Sequence, residues 1–120
     1  MGELVVSEMV HQMGLYGNYF TPIREGKKIV EVRLNDKKRR EIKIGDTIEF
    51  IRLPEQSEVL KVRVTNLRIF DTFEEMYRNI SFEDFDCGGW SMKEMLEGTY
   101  DIYTPEKEEE WGTLAITIKY

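Results

Sequence analysis

The chain has 120 residues, a net charge of −6, one cysteine and one histidine. That length suffices for one domain with a real core. The lone cysteine excludes an intrachain disulfide, and one Cys with one His argues against the usual zinc site.

No apolar run approaches the roughly 18 residues that a bilayer crossing needs. The start, MGELVVSEMV, has neither a basic leader nor a long apolar segment. These features set the expectation of one domain over residues 1–120, cytoplasmic, without membrane partner, metal or cofactor, and monomeric.

The charge is unevenly spread. Residues 24–43 hold nine of the 17 basic residues and four of the 23 acidic ones, a local surplus of five positive charges. The other 100 residues hold eight basic and 19 acidic. An acidic body repels polyanions in general, while a basic stripe attracts one in a chosen orientation. The ordinary alternative is a solvated lysine-rich loop.

In chain order, His11 shares strand parity with Met13 and Leu15, which suggests a partly buried, hydrogen-bonded histidine rather than a catalytic base. Tyr19, Phe20 and Ile23 have helical spacing, and Gly26 supplies a stop. Over KKIVEVRLND the pattern alternates: Val30, Val32 and Leu34 share one face, Glu31 and Arg33 the other. Gly45-Asp46 marks a turn into a second strand, IEFIRL. The next strand, EVLKVRVTNLRIF, turns Leu60, Val62 and Val64 inward.

Asp71 followed by Glu74 predicts a capped helix over TFEEMYRNI, and Ser91 followed by Glu94 another over MKEMLEGTY. In TPEKEEEW, Thr104 is placed as N-cap and Pro105 as the first helical residue. The acids Glu106, Glu108 and Glu109 then read as a helix-start feature. GTLAITIKY alternates again, with Leu114, Ile116 and Ile118 on one face. The pattern predicts an α+β fold: a small, mostly antiparallel β-barrel of about five or six strands with peripheral short helices. Val30, Val32, Leu60, Val62, Val64, Ile116 and Ile118 are expected to be buried.

Some residues occur in an ordered combination: Gly26, Lys28, Glu31, Arg33 and Asp36, then Ile42, Gly45-Asp46, Ile48 and Phe50, with YTPEKEEEWGTLAITI closing the chain. This combination resembles the ASCH domain (activating-signal-cointegrator homology) family of the PUA-like superfamily, over about residues 10–120. The resemblance implies a small barrel with a cleft beside the G-x-K-x-x-E-x-R strand, and RNA or a nucleotide-like molecule as ligand.

On that reading Lys28, Glu31 and Arg33 line one cleft, the cations meeting phosphate and the carboxylate accepting from a base or ribose. Lys37, Lys38, Arg39 and Arg40 extend a track for the phosphate backbone. The bland alternative for Glu31 and Arg33 is a surface ion pair worth ~0–1 kcal/mol. Lys28 is expected to be an exposed cation whose loss spares stability.

Some members of this family resemble amidohydrolases of N4-acetylcytidine that use a lysine, a threonine and a glutamate. Lys28 matches the lysine, but Glu31 stands where the threonine would be, and the glutamate has no assigned match. A carboxylate cannot replace a hydroxyl without changing the mechanism. A hydrolase using Lys28 and Glu31, of amidohydrolase or ribonuclease type, is therefore the alternative to a binding module. A protein-interaction domain is a second alternative.

Cys87 has no histidine near it in sequence, and Gly88-Gly89 lacks the lysine and hydroxyl of a phosphate loop. Trp90, Tyr100, Tyr103 and Trp111 are core candidates, any one of which could stack on a base if it lined the cleft.

Overall fold

A computed structural model describes residues 9–120. The first eight residues, read above as free of a leader, lie outside the described residues. The chain runs β1 (Val10–Tyr16), α1 (Gly17–Arg24), β2 (Val30–Leu34), β3 (Thr47–Leu53), β4 (Val59–Phe70), α2 (Phe73–Asn79), α3 (Met92–Tyr100), α4 (Pro105–Trp111) and β5 (Thr113–Lys119). Single 3-10 turns occupy Arg39–Glu41 and Phe82–Asp84.

The five strands form one sheet in the order β1-β3-β4-β5-β2. β1 pairs with β3 in parallel, and the other three pairings are antiparallel. The sheet curls into a half-barrel. Its two edge strands, β1 and β2, are not paired with each other, so a seam runs between them.

The inner face of the half-barrel is apolar. Met13 and Leu15 of β1, Ile48 and Phe50 of β3, Leu60, Val62 and Val64 of β4, and Leu114, Ile116 and Ile118 of β5 pack there, joined by Phe20 and Ile23 of α1. A second core lies on the other side of β5 and β2. There Val30 and Ala115 meet Phe73, Met76 and Tyr77 of α2, Met95 of α3, and Ile80 and Phe85.

The seven residues expected to be buried are buried, save Val32, which is half-buried. They divide between the two cores, however, because β2 faces the opposite way to β4. Glu31 stands opposite Ile116 and Arg33 opposite Leu114. Directly opposed residues share a sheet face, so Glu31 and Arg33 occupy the inner face and Val30 and Val32 look toward the helices.

Local signals explain most boundaries. Gly26 at φ +75° ends the turn after α1, and Gly45 at φ +96° makes the turn before β3, both left-handed positions that favour glycine. Ser91 and Glu94 form the full capping box of α3, and Thr104 caps α4 with Pro105 at its first turn.

Two expectations are corrected. The N-cap of α2 is Thr72, whose hydroxyl accepts from the Glu75 N–H at 3.1 Å, and not Asp71. Thr72 has the extended backbone that aims its oxygen at the third helical N–H. Glu108 is more than a helix-start charge. It is buried and accepts from the Phe73 N–H at 2.7 Å and the Tyr100 hydroxyl at 2.8 Å, so it satisfies a free donor at the start of α2.

His11, half-buried, lies 2.8 Å from Asp46. Asp46 also accepts from the Lys43 N–H at 2.9 Å. This cluster pins β1 to the turn before β3. Asp46 titrates below its ordinary 3.8: burial would raise it, but the bonds from His11 and the backbone outweigh that.

Candidate functional site

The seam between β1 and β2 is where the inner face turns from apolar to charged. Lys28 enters it just before β2. Its backbone N–H donates to Pro22 O at 3.1 Å, and the Ile29 N–H donates to Asp84 O at 2.9 Å. Lys28 also bridges to Phe85. The end of α1 and the Phe82–Asp84 turn thus hold the strand entry from both sides.

From there the Lys28 ammonium donates to Glu31 Oε1 at 2.7 Å. Arg33 donates to Glu31 Oε2 through Nε at 2.8 Å, and its Nη2 lies 2.7 Å from the same oxygen. Nη2 also donates to the Gly14 carbonyl at 3.2 Å. The chain Lys28–Glu31–Arg33–Gly14 therefore ties β2 to β1 where no backbone pairing does.

These side chains are well shielded: Lys28 is 10% exposed, Glu31 4% and Arg33 13%. Lys28 is accordingly not the exposed cation expected from sequence. Burial by itself would raise the Glu31 carboxyl, but the charges and hydrogen bonds of Lys28 and Arg33 outweigh it and hold the group below its ordinary 4.5. Arg33 moves the other way. Burial would lower it, and the Glu31 charge more than compensates.

Two cations against one carboxylate leave one positive charge. Glu31 answers only part of the donor set. Arg33 Nη1 makes no protein hydrogen bond among the described residues, and Lys28 otherwise lies over the Tyr19 ring, 5.1 Å from its centroid.

This charged floor opens on a cavity of about 260 Å³. β1 and α1 supply Gly14, Tyr16 and Tyr19; β2 supplies Glu31, Val32 and Arg33. Tyr77 comes from α2, Phe85 and Cys87 from the loop after it, Trp90 from just before α3, and Met95, Gly98 and Thr99 from α3 itself. Ile102 and Tyr103 close the wall. Trp90 and Tyr16 are 47% and 59% exposed at the rim. The interior is mainly apolar, with the polar groups gathered on the floor and on the hydroxyls of Tyr77, Thr99 and Tyr103.

Of the sequence-selected residues, Lys28, Glu31 and Arg33 meet in this cleft. Lys37, Lys38, Arg39 and Arg40 do not line it. Lys37 and Lys38 are exposed on the turn after β2. Arg39 pairs with Asp36 at 3.4 Å. Arg40 donates to the Asn35 carbonyl at 2.7 Å and stacks over Trp111, 5.5 Å from its ring centroid. Those two arginines hold the turn together.

Cys87 lines the cleft, but burial pushes its thiol up despite the Lys28 charge, which leaves little thiolate. Among the aromatic candidates, Tyr103 stacks on Phe73 at 5.5 Å and lines the cleft, while Tyr100 bonds Glu108. Tyr77 and Thr99 were not singled out from the sequence. A tyrosine on the apolar face of TFEEMYRNI was the available signal, since a buried tyrosine needs a partner for its hydroxyl.

A curled five-stranded mixed sheet, helices packed on its outer face at one edge, and a charged cleft in its open seam define a small α+β half-barrel. Residues 13–120 match the family described as ASCH domain, and the chain belongs to that family.

Two solved structures are similar along nearly their whole lengths. One is the crystal structure of hypothetical protein PH0355: 37% identity, TM-score 0.81, 92% of this chain and 98% of that one. The other is the solution NMR structure of protein PF0455 from Pyrococcus furiosus: 38% identity, TM-score 0.74, 92% of this chain and 96% of that one. A comparison with curated proteins finds no match.

Proposed function

We propose that the cleft binds one nucleotide unit, free or as part of single-stranded RNA, with Lys28 and Arg33 receiving its oxygen acceptors. The observation that carries this reading is the buried Lys28–Glu31–Arg33 chain. It holds a surplus positive charge, with donors that no group among the described residues answers, under an aromatic-rimmed cavity. The cavity's 260 Å³ lies just under the roughly 300–1,000 Å³ typical of small-molecule sites. That suits a single base with its sugar and is too small for a duplex.

Trp90 at the rim offers a stacking face, worth about 1–3 kcal/mol per base in single-strand binders. Lys37 and Lys38, exposed on the turn after β2, serve neighbouring phosphates without reading sequence.

The hydrolase alternative needs Lys28 or Glu31 to exchange a proton with substrate, whereas binding needs only the donors that Lys28 and Arg33 keep beyond their contacts with Glu31. Binding therefore takes precedence over turnover. The test is titration of nucleoside 5′-monophosphates and a short single-stranded RNA into wild type and Lys28→Ala, read by Trp fluorescence and calorimetry. Product analysis by chromatography runs alongside. Binding should weaken at least about tenfold in the variant. Equal affinity of wild type and a folded Lys28→Ala would refute the site. Product formation would favour the hydrolase, and wild-type binding of an acidic peptide in place of RNA would favour the interaction domain.

A further inference from the structure

The hydroxyls on the cleft wall have their hydrogen-bond directions set by the protein. Thr99 lies in α3 and donates its only hydroxyl proton to the Met95 carbonyl at 2.8 Å, the familiar bond to the residue four back in a helix. Its oxygen lies 2.6 Å from the Tyr77 hydroxyl. A threonine hydroxyl has one proton, and Met95 already takes it. Tyr77 must therefore donate to Thr99. What remains of the Tyr77 hydroxyl toward the cleft is lone pairs only.

Burial fixes the chemical state as well. It pushes the Tyr77 phenol up to about 12, so the group is neutral at physiological pH. Tyr77 lines the same cavity as Lys28, Glu31 and Arg33 of the charged floor. Tyr103 repeats the arrangement, its proton donated to the Val32 carbonyl at 3.1 Å. Lys28 and Arg33 are donors only. The cleft thus presents donors from its cations and acceptors from its tyrosines.

We infer that Tyr77 is a specificity-determining residue: Thr99 holds its hydroxyl as an acceptor, so the cleft selects a base that turns an N–H toward Tyr77 and a carbonyl or phosphate oxygen toward Lys28 and Arg33. The chemical class is a nucleobase with a free lactam or amino N–H. An N-alkylated base cannot satisfy the site. A lone-pair clash or an unmet buried acceptor costs about tenfold or more in affinity. This inference rests on the proposed nucleotide site.

The experiment compares three matched pairs by calorimetry: uridine with 3-methyluridine, cytidine with N4,N4-dimethylcytidine, and adenosine with N6,N6-dimethyladenosine. Each is titrated into wild type, Tyr77→Phe, Thr99→Val and Lys28→Ala, with circular dichroism to verify folding. Thr99→Val keeps the cavity shape but removes the oxygen that takes the Tyr77 proton, freeing Tyr77 to donate into the cleft.

The expected result is that wild type binds at least one parent about tenfold tighter than its methylated partner. That ratio should fall to within about threefold in both Tyr77→Phe and Thr99→Val. If the ratio stays unchanged in Thr99→Val, the methyl groups merely clash and the inference fails. It fails too if wild type does not discriminate while Lys28→Ala still abolishes binding, and in that case the nucleotide site itself stands. If no nucleoside binds wild type, both readings fall.

Discussion

Replacing Glu31 with Gln tests whether the charged chain in the seam is one buried unit. The substitution keeps the side-chain shape and leaves Lys28 and Arg33 facing each other without their shared anion. At 2.7 Å each ion contact has a Coulomb attraction of roughly 6 kcal/mol at an effective dielectric of 20, much of it offset by desolvation. Removing one partner of a buried pair costs about 3–5 kcal/mol net. The cleft admits water to the cations, and the glutamine oxygen can still accept one bond, so the low end, about 3 kcal/mol, applies.

With about 2.1 cal/mol/K of unfolding entropy per residue, a 120-residue chain has roughly 0.25 kcal/mol/K. The melting temperature should then fall by about 12 °C, read by circular dichroism at pH 7. Pairing Glu31→Gln with Lys28→Met should recover part of the loss, since it removes one of the two cations left without their anion. A drop under about 4 °C would mean that the three groups do not act as a buried unit, and the site argument would lose its electrostatic basis.

Other outcomes follow from the same contacts. Glu31 and Asp46 both have folded-state pKa values below the unfolded ones. Their stabilisation is fully present above about pH 4.5 and is lost as pH falls through the lowered values. Acid melts of Glu31→Gln and Asp46→Asn should each show a shallower decline below pH 4.5 than wild type. If RNA binds, replacing Lys37 and Lys38 together with alanine should weaken all sequences alike and make the salt slope shallower by about two units; an unchanged slope removes them from the interface. Arg40→Ala should instead lower thermal stability, because it breaks the Asn35 bond and the Trp111 stack. Trp90→Ala should cost about 1–3 kcal/mol of nucleotide affinity with little change in melting temperature, and an unaltered isotherm would exclude stacking.

Period-two alternation in the sequence determined where the strands lie and which residues share a face. Helix caps at Ser91 and Thr104 were legible because a cap is chemistry between residues three apart. The grouping of Glu31 with Arg33 was legible for the same local reason, and the ordered combination around Lys28 pointed to the family.

Alternation does not say which face looks inward, and for β2 that mattered most. A strand covered on both sides can bury its valines against helices and its charges against a barrel, and only the pairing of Glu31 with Ile116 decided between them. The burial of Lys28 depended on α1 and the Phe82–Phe85 segment converging on the start of β2. The bond from Phe73 to Glu108 spans 35 residues, and the one between Tyr77 and Thr99 spans 22. Such contacts form when helices pack, and nothing within a few residues of either partner encodes them. Arg39 and Arg40 look identical to Lys37 and Lys38 as a run of charge. Their fates separated because a guanidinium within reach of Asp36, Asn35 and Trp111 makes directed bonds, while the two lysines at the tip of that turn stay exposed.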